Sequence, residues 1–330
     1  MKAVFQTSFG NSDVLQYGEV AQPAIKANQV RIRNYATSVN PRDWLIRSGR
    51  YQLQFMVPPF PLILGSDFAG EIIEIGSNVT GYHLGDRVYG MKNPTDGLAT
   101  YAEDLVAHPR NLAKMPTNLS FIEAAGVPLC SLTAWQALND IAGVQRNDRL
   151  LVIGGSGGVG SYAVQIGKAL GADVTAVCSE ANAAMVKRLG VARTIDYKSQ
   201  DFLSEQTQYD TIFDTIGKHN WKTCSKVLSR QGCFVSTVPN PANLTSMALS
   251  RLRNLVGHSQ RSEVVMVSSK GTDLEKLTGL IETGQITPLI DSVFPLKDAK
   301  QAHDHSRSLR AKGKIILEVQ PQGVRDEQPI

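Results

Sequence analysis

The sequence predicts an α/β protein with two domains, one rich in short strands and one built on a doubly wound parallel sheet. Three observations indicate this fold class: a strand that ends in a glycine-rich turn at 149–160, strands alternating with helices after residue 126, and short strands separated by glycines before it. Alternating strands and helices are typical of a parallel sheet covered by helices. The 330 residues also exceed one ordinary core.

Composition and charge argue against several classes of protein. Hydrophobic residues make up 42% and charged residues 19%, and the net charge of +4 comes with no basic run, which disfavours a nucleic-acid partner. No window approaches about 18 apolar residues, and the N-terminus lacks the apolar stretch of a signal peptide, so we expect no membrane partner. Four scattered cysteines without a Cys-x-x-Cys pair predict reduced thiols and a cytoplasmic location.

The N-terminal part reads as strands joined at glycines. Residues 30–38 alternate between apolar and polar side chains, which predicts a half-buried strand. Residues 68–75 and 87–91 show a similar pattern between glycines. We therefore predict a mostly antiparallel β domain.

The rest of the chain switches between helical and strand patterns after Ser120, a plausible N-cap of a short helix. The expected helices are 132–141, 158–170, 180–189, 218–229, 271–283 and 297–310. The expected strands are 149–154, 173–178, 193–196, 209–214, 232–237, 263–267 and 314–319.

The glycine-rich turn is the strongest functional signal. Gly155, Gly157 and Gly160 fit the G-x-G-x-x-G pattern, with an apolar strand before them and a helical pattern after them. A helix N-terminus offers free N–H groups and partial positive charge to a pyrophosphate, and glycines let the backbone approach it. This context predicts a dinucleotide site of the Rossmann type.

The end of the second strand after this turn bears on which dinucleotide binds. Ser179 stands where NAD-binding proteins usually carry an acidic residue, and a hydroxyl accepts a 2′-phosphate that a carboxylate would repel. Asn182, Lys187 and Arg188 can add donors, which favours NADPH, whereas Glu180 argues against it. Two structural interpretations stay open: Ser179 can be the N-cap of the following helix, and Lys187 and Arg188 can be solvated surface residues.

Several segments together resemble the medium-chain dehydrogenase/reductase superfamily, and within it the zinc-independent NADPH quinone oxidoreductase branch. The resemblance extends from Met1 to Val319. Its motifs are Asn-Pro-Arg-Asp at 40–43, Gly-Ser-Asp-Phe-Ala-Gly-Glu at 65–71, Gly-Asp-Arg-Val at 85–88, Leu-Thr-Ala-Trp at 132–135, the glycines of 154–160 and Gly-Lys-Ile at 313–315.

The resemblance implies a GroES-like catalytic domain at 1–125, completed by about 290–330, and a Rossmann NADPH-binding domain at 126–289, with the active site in the cleft between them. It also implies a homodimer formed through an edge strand near 234–238 or 264–267. Beside Gly155, Gly157 and Gly160, the cofactor-binding residues that it implies are Thr133, Ser156, Gly158, Val159, Ser179, Asn182, Tyr197, Ile216, Val238 and Lys314.

One departure from the zinc enzymes of this superfamily is informative. Ser66 stands where they carry a histidine ligand, and no cysteine precedes Cys130. His303 and His305 are two residues apart and so face different sides of a helix. We therefore expect no metal, since zinc needs three or four nitrogen or sulfur ligands at fixed spacing. Asp67 then becomes a structural ion-pair partner.

Two residues are candidates for catalysis. Asn40, at the end of a predicted strand, can donate to a developing oxyanion, or it can simply form the turn before Pro41. Tyr51 can offer a hydroxyl, or it can be an aromatic residue at the rim. The apolar, proline-rich stretch 52–61 fits a hydrophobic lip for a planar substrate or, as we favour, a packed loop.

These observations predict an NADPH-dependent, zinc-independent reductase of quinones or α,β-unsaturated carbonyls, because such acceptors take a hydride without a Lewis acid. Two alternatives stay open. One is an enoyl-thioester reductase, and the other is a non-enzymatic NADPH-binding protein of the crystallin or RNA-binding kind.

Overall fold

The computed structural model describes residues 1–97, 99–254 and 259–320. In chain order the strands are β1 Lys2–Gln6, β2 Gln16–Glu19, β3 Val30–Val39, β4 Leu62–Ile63, β5 Asp67–Ile75, β6 Arg87–Met91, β7 Asp104–Ala107, β8 Leu112–Lys114, β9 Arg149–Ile153, β10 Asp173–Cys178, β11 Arg193–Asp196, β12 Tyr209–Asp214, β13 Leu228–Ser236, β14 Arg261–Val264, β15 Ile290–Pro295 and β16 Lys314–Glu318. The α-helices are α1 Pro41–Arg47, α2 Phe121–Ala125, α3 Pro128–Trp135, α4 Gly158–Ala169, α5 Glu180–Arg188, α6 Trp221–Cys224, α7 Pro241–Asn254, α8 Gly271–Glu282 and α9 Ala299–Arg307.

The chain divides into two compact units. Unit 1 consists of Met1–Leu129, Ser269–Gly279 and the residues from Ile290 on, and unit 2 of Cys130–Ser268 and Leu280–Leu289. Residues 269–279, which include most of α8, thus group with unit 1, whereas the sequence placed all of 126–289 in the second domain. Along the described ranges, we find no helix with the length and apolar character needed to cross a membrane.

Unit 1 is built on antiparallel strands. Its larger sheet has the order β15-β16-β3-β5-β6-β8, with β7 also on β3. Among the described strands of this sheet, only the β15–β16 pair is parallel. Val30 and Ile32 of β3 are fully buried between half-buried arginines and pack with Phe68 and Ile72 of β5, as the alternating pattern predicts. This sheet places the ends of β3, β5 and β16 side by side.

Unit 2 is a parallel sheet with the order β11-β10-β9-β12-β13-β14 in the part of the chain that is described. Leu150 to Ile153 of β9 are all buried, as expected of a central strand covered by helices on both faces. The strand order reverses beside β9, where β10 lies on one side and β12 on the other. Ligands of such sheets bind at this switch point, beyond the carboxyl ends of the strands.

The fold class is confirmed, and most elements begin and end within a few residues of their predicted bounds. The helix expected over 218–229 is wrong: α6 covers only Trp221–Cys224, and β13 already begins at Leu228. Leu228 is buried in the core of unit 2 and pairs with Tyr209, so tertiary packing outweighs the local helical pattern. The helix α7 was not predicted.

Candidate functional site

The glycine turn, defined here as Gly154–Gly160, connects β9 to α4. Gly154 has φ of +86°, a conformation that glycine adopts without strain. The backbone N–H groups of Gly154 and Gly155 donate to the carbonyl of Val177 in β10, at 3.0 and 3.1 Å. Helix α4 begins after Gly157, which has no side chain to cap the first N–H groups. The turn thus presents a helix N-terminus suited to an anion.

Each glycine of the motif has a different steric reason to be glycine. A Cβ on Gly160 would lie 2.0 Å from the carbonyl oxygen of Gly154, and one on Gly155 would lie 2.8 Å from Cβ of Ala176. By contrast, a Cβ on Gly157 would meet nothing closer than 3.5 Å. The protein itself therefore requires glycine at 155 and 160, while the open space at 157 suits a ligand that approaches the backbone.

The residues expected to read the cofactor's ribose lie beside this turn. Asn182, in the first turn of α5, donates its Nδ2 hydrogen to Oγ of Ser156 at 3.1 Å. Ser179 occupies the N-cap position of α5, yet its side chain makes no capping hydrogen bond, so the interpretation of Ser179 as a side-chain cap is not supported. Lys187 and Arg188 belong to the last turn of α5, about 10 Å along the helix from its start, and do not join this group.

The carboxyl ends of the neighbouring strands carry three more of the expected residues. Ile216 is 48% exposed and lies over Gly154, where its Cδ1 would be 2.6 Å from an added Cβ. Val238 lies against Gly217 in the same way. Tyr197 is 59% exposed and donates its backbone N–H to the carbonyl of Cys178, next to Ser179. The structure therefore brings these residues to one edge of the parallel sheet.

Asp214, at the end of β12, is a residue that the sequence analysis did not single out. Its buried carboxylate accepts the backbone N–H groups of Ile216, Gly217 and His219, each at 2.9 Å. These bonds fix the loop that carries Ile216. An aspartate three residues before a glycine is a turn signal that could have indicated this role.

Thr133 and Lys314 are the other two residues expected near the cofactor, and that role stays a prediction for both. Thr133 is buried within α3. Lys314 begins β16 in unit 1, and its side chain is only 3% exposed. Its Nζ donates to Asn40 and lies close to Asp67.

The Asp67 cluster, defined as Asn40, Asp67 and Lys314, lies where β3, β5 and β16 come together. Lys314 Nζ donates to Oδ1 of Asn40 at 2.5 Å and lies 3.4 Å from Oδ2 of Asp67. Asn40 Nδ2 donates to the same carboxylate at 2.9 Å. Asp67 also accepts from Ser38 Oγ and from the backbone N–H of Leu129. The buried carboxylate thus has the paired, hydrogen-bonded environment that a buried charge requires, and Asp67 is the ion-pair partner that we expected.

A second buried carboxylate, Asp43, lies in the first turn of α1. Its Oδ2 accepts the backbone N–H of Asn40 at 2.8 Å and its Oδ1 faces Ser66 Oγ at 3.4 Å. Arg42 Nε donates to the same Ser66 oxygen at 2.8 Å. Burial raises the pKa of Asp43 to about 6, and the Arg42 charge limits that rise. Asn40 is therefore both the N-cap residue of α1 and a member of the Asp67 cluster, so the turn-forming and the polar-contact interpretations both describe it.

Tyr51 and the stretch after it border a hydrophobic core. Tyr51 is half-buried against the cluster that contains Val4, Ile46 and Leu62, as an aromatic residue at a rim would be. The stretch 52–61 is less packed than we favoured, because Phe55 is 83% exposed and Phe60 is 38% exposed. Phe60 contacts Phe9 edge to face, with ring centroids 4.8 Å apart.

The side chains of this region do not fit a zinc ion. Ser66 lies between Arg42 and Asp43, and Asp67 is engaged by amide, hydroxyl and ammonium donors. In the described ranges, no three His, Cys, Asp or Glu side chains are grouped as metal ligands. His303 and His305 do point to different partners, the former to Arg47 and Tyr101 and the latter to Asp291. The described cysteines are buried free thiols.

Comparisons with known proteins agree with this architecture. The family described as "Alcohol dehydrogenase GroES-like domain" matches residues 26–117, and "Zinc-binding dehydrogenase" matches residues 189–317. The chain is 32% identical to the chloroplast envelope quinone oxidoreductase homolog of Arabidopsis thaliana, over 96% of this chain and 98% of that protein. It is 33% identical to the 2-methylene-furan-3-one reductase of Solanum lycopersicum, over 96% of this chain and 79% of that protein.

A solved structure gives the same result. The quinone oxidoreductase from Coxiella burnetii superposes with a TM-score of 0.88 at 31% identity, and the match covers 97% of this chain and 99% of that one. Both the β-rich and the parallel-sheet parts are included in matches of this extent. The chain therefore belongs to the medium-chain dehydrogenase/reductase superfamily, in its quinone oxidoreductase branch.

Proposed function

We propose that this protein is an NADPH-dependent, zinc-independent reductase that transfers a hydride to quinones or α,β-unsaturated carbonyls. Family membership makes it an oxidoreductase, and its relatives include a quinone oxidoreductase homolog and a furanone reductase. The observation that carries the choice of cofactor is Ser179, a hydroxyl beyond β10 that makes no capping bond and takes the place of an acidic residue.

The residues of unit 2 fit a nicotinamide dinucleotide. The N–H groups at the start of α4 would hold the pyrophosphate, and the open side of Gly157 would let it approach. Ser179 and Asn182 would contact the 2′-phosphate, with Ile216 and Val238 covering the apolar parts. When bound, the reduced nicotinamide supplies the hydride.

Asn40 and Tyr51 are the proposed catalytic residues. Hydride addition to a quinone or an enone places negative charge on an oxygen, and one proton is then needed to give the hydroquinone or the saturated carbonyl. We propose Asn40 as the polar contact for that oxygen, because Lys314 and Asp67 hold its amide in one orientation. Tyr51 is the proposed hydroxyl donor.

The absence of a fitting zinc site is compatible with this chemistry, because quinones and enones are electrophilic without a Lewis acid. A cytoplasmic location and the lack of membrane or nucleic-acid partners stay predictions. The enoyl-thioester alternative is kept as an arm of the assay below.

The test is consumption of NADPH and NADH, followed by absorbance, with a panel of quinones, enals, enones and a crotonyl thioester. We expect turnover with quinones or enones and a preference for NADPH. Turnover confined to the thioester would select the alternative, and no turnover with any acceptor would refute the proposal.

The cofactor preference has its own test in Ser179→Asp. A carboxylate there would repel the 2′-phosphate, so we expect KM for NADPH to rise about tenfold or more while KM for NADH changes little. Ser225→Asp, which adds the same charge after α6, is the control and should leave both values unchanged. An unaltered preference in Ser179→Asp would show that another residue selects the cofactor.

A further inference from the structure

A buried chain of side chains leads from Arg47 to Asp43 and is not used by the proposed reaction. It consists of Arg47, His303, Tyr101 and Asp43, all in unit 1, and we call it the Asp43 chain. Arg47 Nη1 lies 3.1 Å from His303 Nδ1, His303 Nε2 lies 3.1 Å from the Tyr101 oxygen, and that hydroxyl lies 3.2 Å from Asp43 Oδ2. No member of the chain is more than 1% exposed.

The chemistry of the donors fixes the direction of every hydrogen bond. A guanidinium only donates, so His303 Nδ1 must accept from Arg47, and the imidazole is neutral with its proton on Nε2. That proton is donated to the Tyr101 oxygen, and the Tyr101 hydroxyl is left to donate to Asp43. Burial, and then the Arg47 charge, lower the pKa of His303 to about 3, in agreement with a neutral ring.

The end of the chain lies next to the proposed catalytic residue. The Asp43 oxygen that receives the Tyr101 hydroxyl also receives the backbone N–H of Asn40. Gly65 allows Tyr101 to come this close, because a Cβ there would lie 2.4 Å from the Tyr101 ring. A carboxylate can accept all these hydrogen bonds. A protonated Asp43 would instead carry an O–H donor that faces the donors around it.

We propose that Arg47, His303 and Tyr101 are positioning residues that keep the Asp43 carboxylate charged and aimed at the N–H of Asn40. This inference rests on the proposed function, because it assigns the chain its purpose through Asn40. The other charged groups facing Asp43 are Arg42 of α1, Asp67 of β5 and Lys314 of β16. None of the three is altered by the test.

The test compares Tyr101→Phe with the wild type. Phenylalanine removes only the hydroxyl, so Asp43 loses a donor and its charged form becomes less stable. We expect the acid limb of the kcat/KM profile with a quinone to move up by about one pH unit. Tyr89→Phe is the matched control, since Tyr89 is a fully buried tyrosine of unit 1 whose hydroxyl donates to the carbonyl of Leu274, and its acid limb should match the wild type.

A second readout is independent of turnover. The titration of the Asp43 carboxylate is followed by infrared spectroscopy as the difference between each protein and the same protein carrying Asp43→Asn. We expect the midpoint to rise in Tyr101→Phe and, by a smaller amount, in His303→Gln, which keeps an acceptor and a donor and serves if Tyr101→Phe does not fold.

The outcomes separate the two proposals. A wild type without turnover refutes the proposed reaction. The infrared midpoints then still decide whether the Asp43 chain stabilises the charged form of Asp43. Equal midpoints in the wild type and the variants, or an equal shift in Tyr89→Phe, would overturn the positioning role. If the Asp43 chain only joined α1 to α9, Tyr101→Phe would lower Tm. It would leave the acid limb of kcat/KM and the infrared midpoint of Asp43 unchanged.

Discussion

His303 illustrates how one buried side chain sets a pH dependence. Its ring donates to Tyr101 and accepts from Arg47, so it has no place for a second proton. Its pKa is lowered from 6.5 to about 3, chiefly by burial. As the pH falls below the higher value, the unfolded chain binds a proton that the folded protein refuses, and stability is lost.

We therefore expect His303 to account for about 2 kcal/mol of the stability lost between about pH 7 and about pH 5. Replacing it with glutamine should make the free energy of unfolding, measured with urea, less dependent on pH by that amount. His83→Gln is the control, because the His83 side chain is 81% exposed and should leave the dependence unchanged. Identical pH dependences of the wild type and His303→Gln would contradict this account.

At the residue scale, the sequence could predict side chains whose role follows from local spacing. The glycines, Ser179 and Asn182 are examples, because a strand-turn-helix unit places them together without reference to the rest of the chain. The Asp43 chain could not be predicted in this way. Arg47 and His303 are 256 residues apart, and only the pairing of β16 with β3 and the packing of α9 on α1 bring them together.

The partners of Lys314 could not be predicted from local spacing either. The family resemblance implies that Lys314 lies near the cofactor, which stays a prediction, and the structure adds that its buried amine contacts Asn40 and Asp67. Its influence on the proposed reaction would therefore pass through the orientation of the Asn40 amide. A motif identifies the position of a residue, but its partners depend on the surrounding strands.

At the scale of elements, the glycine turn separates the requirements of folding from those of binding. An added methyl at Gly160 would overlap the Gly154 carbonyl, whereas one at Gly157 would have room in the protein itself. Gly160→Ala should therefore lower the free energy of unfolding by about 3 kcal/mol. Gly157→Ala should change it by less than about 1 kcal/mol and weaken NADPH binding about tenfold.

Thermal unfolding and a fluorescence titration with NADPH measure these two effects. Gly279→Ala in α8 is the control, since a Cβ there meets nothing within 4 Å and should leave both stability and binding intact or raise stability slightly. Equal losses of stability in Gly157→Ala and Gly160→Ala would show that both glycines serve packing alone.

The element that the sequence described least well, the region of α6 and β13, has a physical cause. Asn220 caps a helix that ends after Cys224, and Leu228 then joins the buried sheet at the position of Tyr209. Local pattern favours continuing the helix, but burying Leu228 in the parallel sheet is worth more than the extra helical turn. Strands such as β9 and β10 were predicted correctly because their whole apolar run is buried.

At the scale of the whole molecule, the described sheet of unit 2 ends at β14, which pairs only with β13 there. Ser250 of α7 engages the outward N–H and C=O groups of Ser262 through its Oγ, so the part of this edge that a second chain can pair with is its Val264 end. Three exposed apolar side chains belong to this region: Leu249 and Leu252 of α7, the helix that packs against β14, and Met266 just after β14, at 49%, 63% and 54% exposure. We therefore propose a homodimer in which the two β14 edges meet at their Val264 ends.

Light scattering on the purified protein tests this proposal. The N–H of Val265 donates to Ser236 in β13, so the N–H of Val264 points to the open edge, and Val264→Pro removes a donor there without removing one from the β13 pairing. We expect a dimeric wild type, a monomeric Val264→Pro and a weakened dimer in Met266→Lys. Leu309→Lys, at a 78% exposed leucine of unit 1, should stay dimeric. A monomeric wild type would exclude the dimer. A dimer that survives both Val264→Pro and Met266→Lys would place the contact elsewhere, because pairing at this edge needs the outward N–H of Val264 and is disfavoured by a charge beside it.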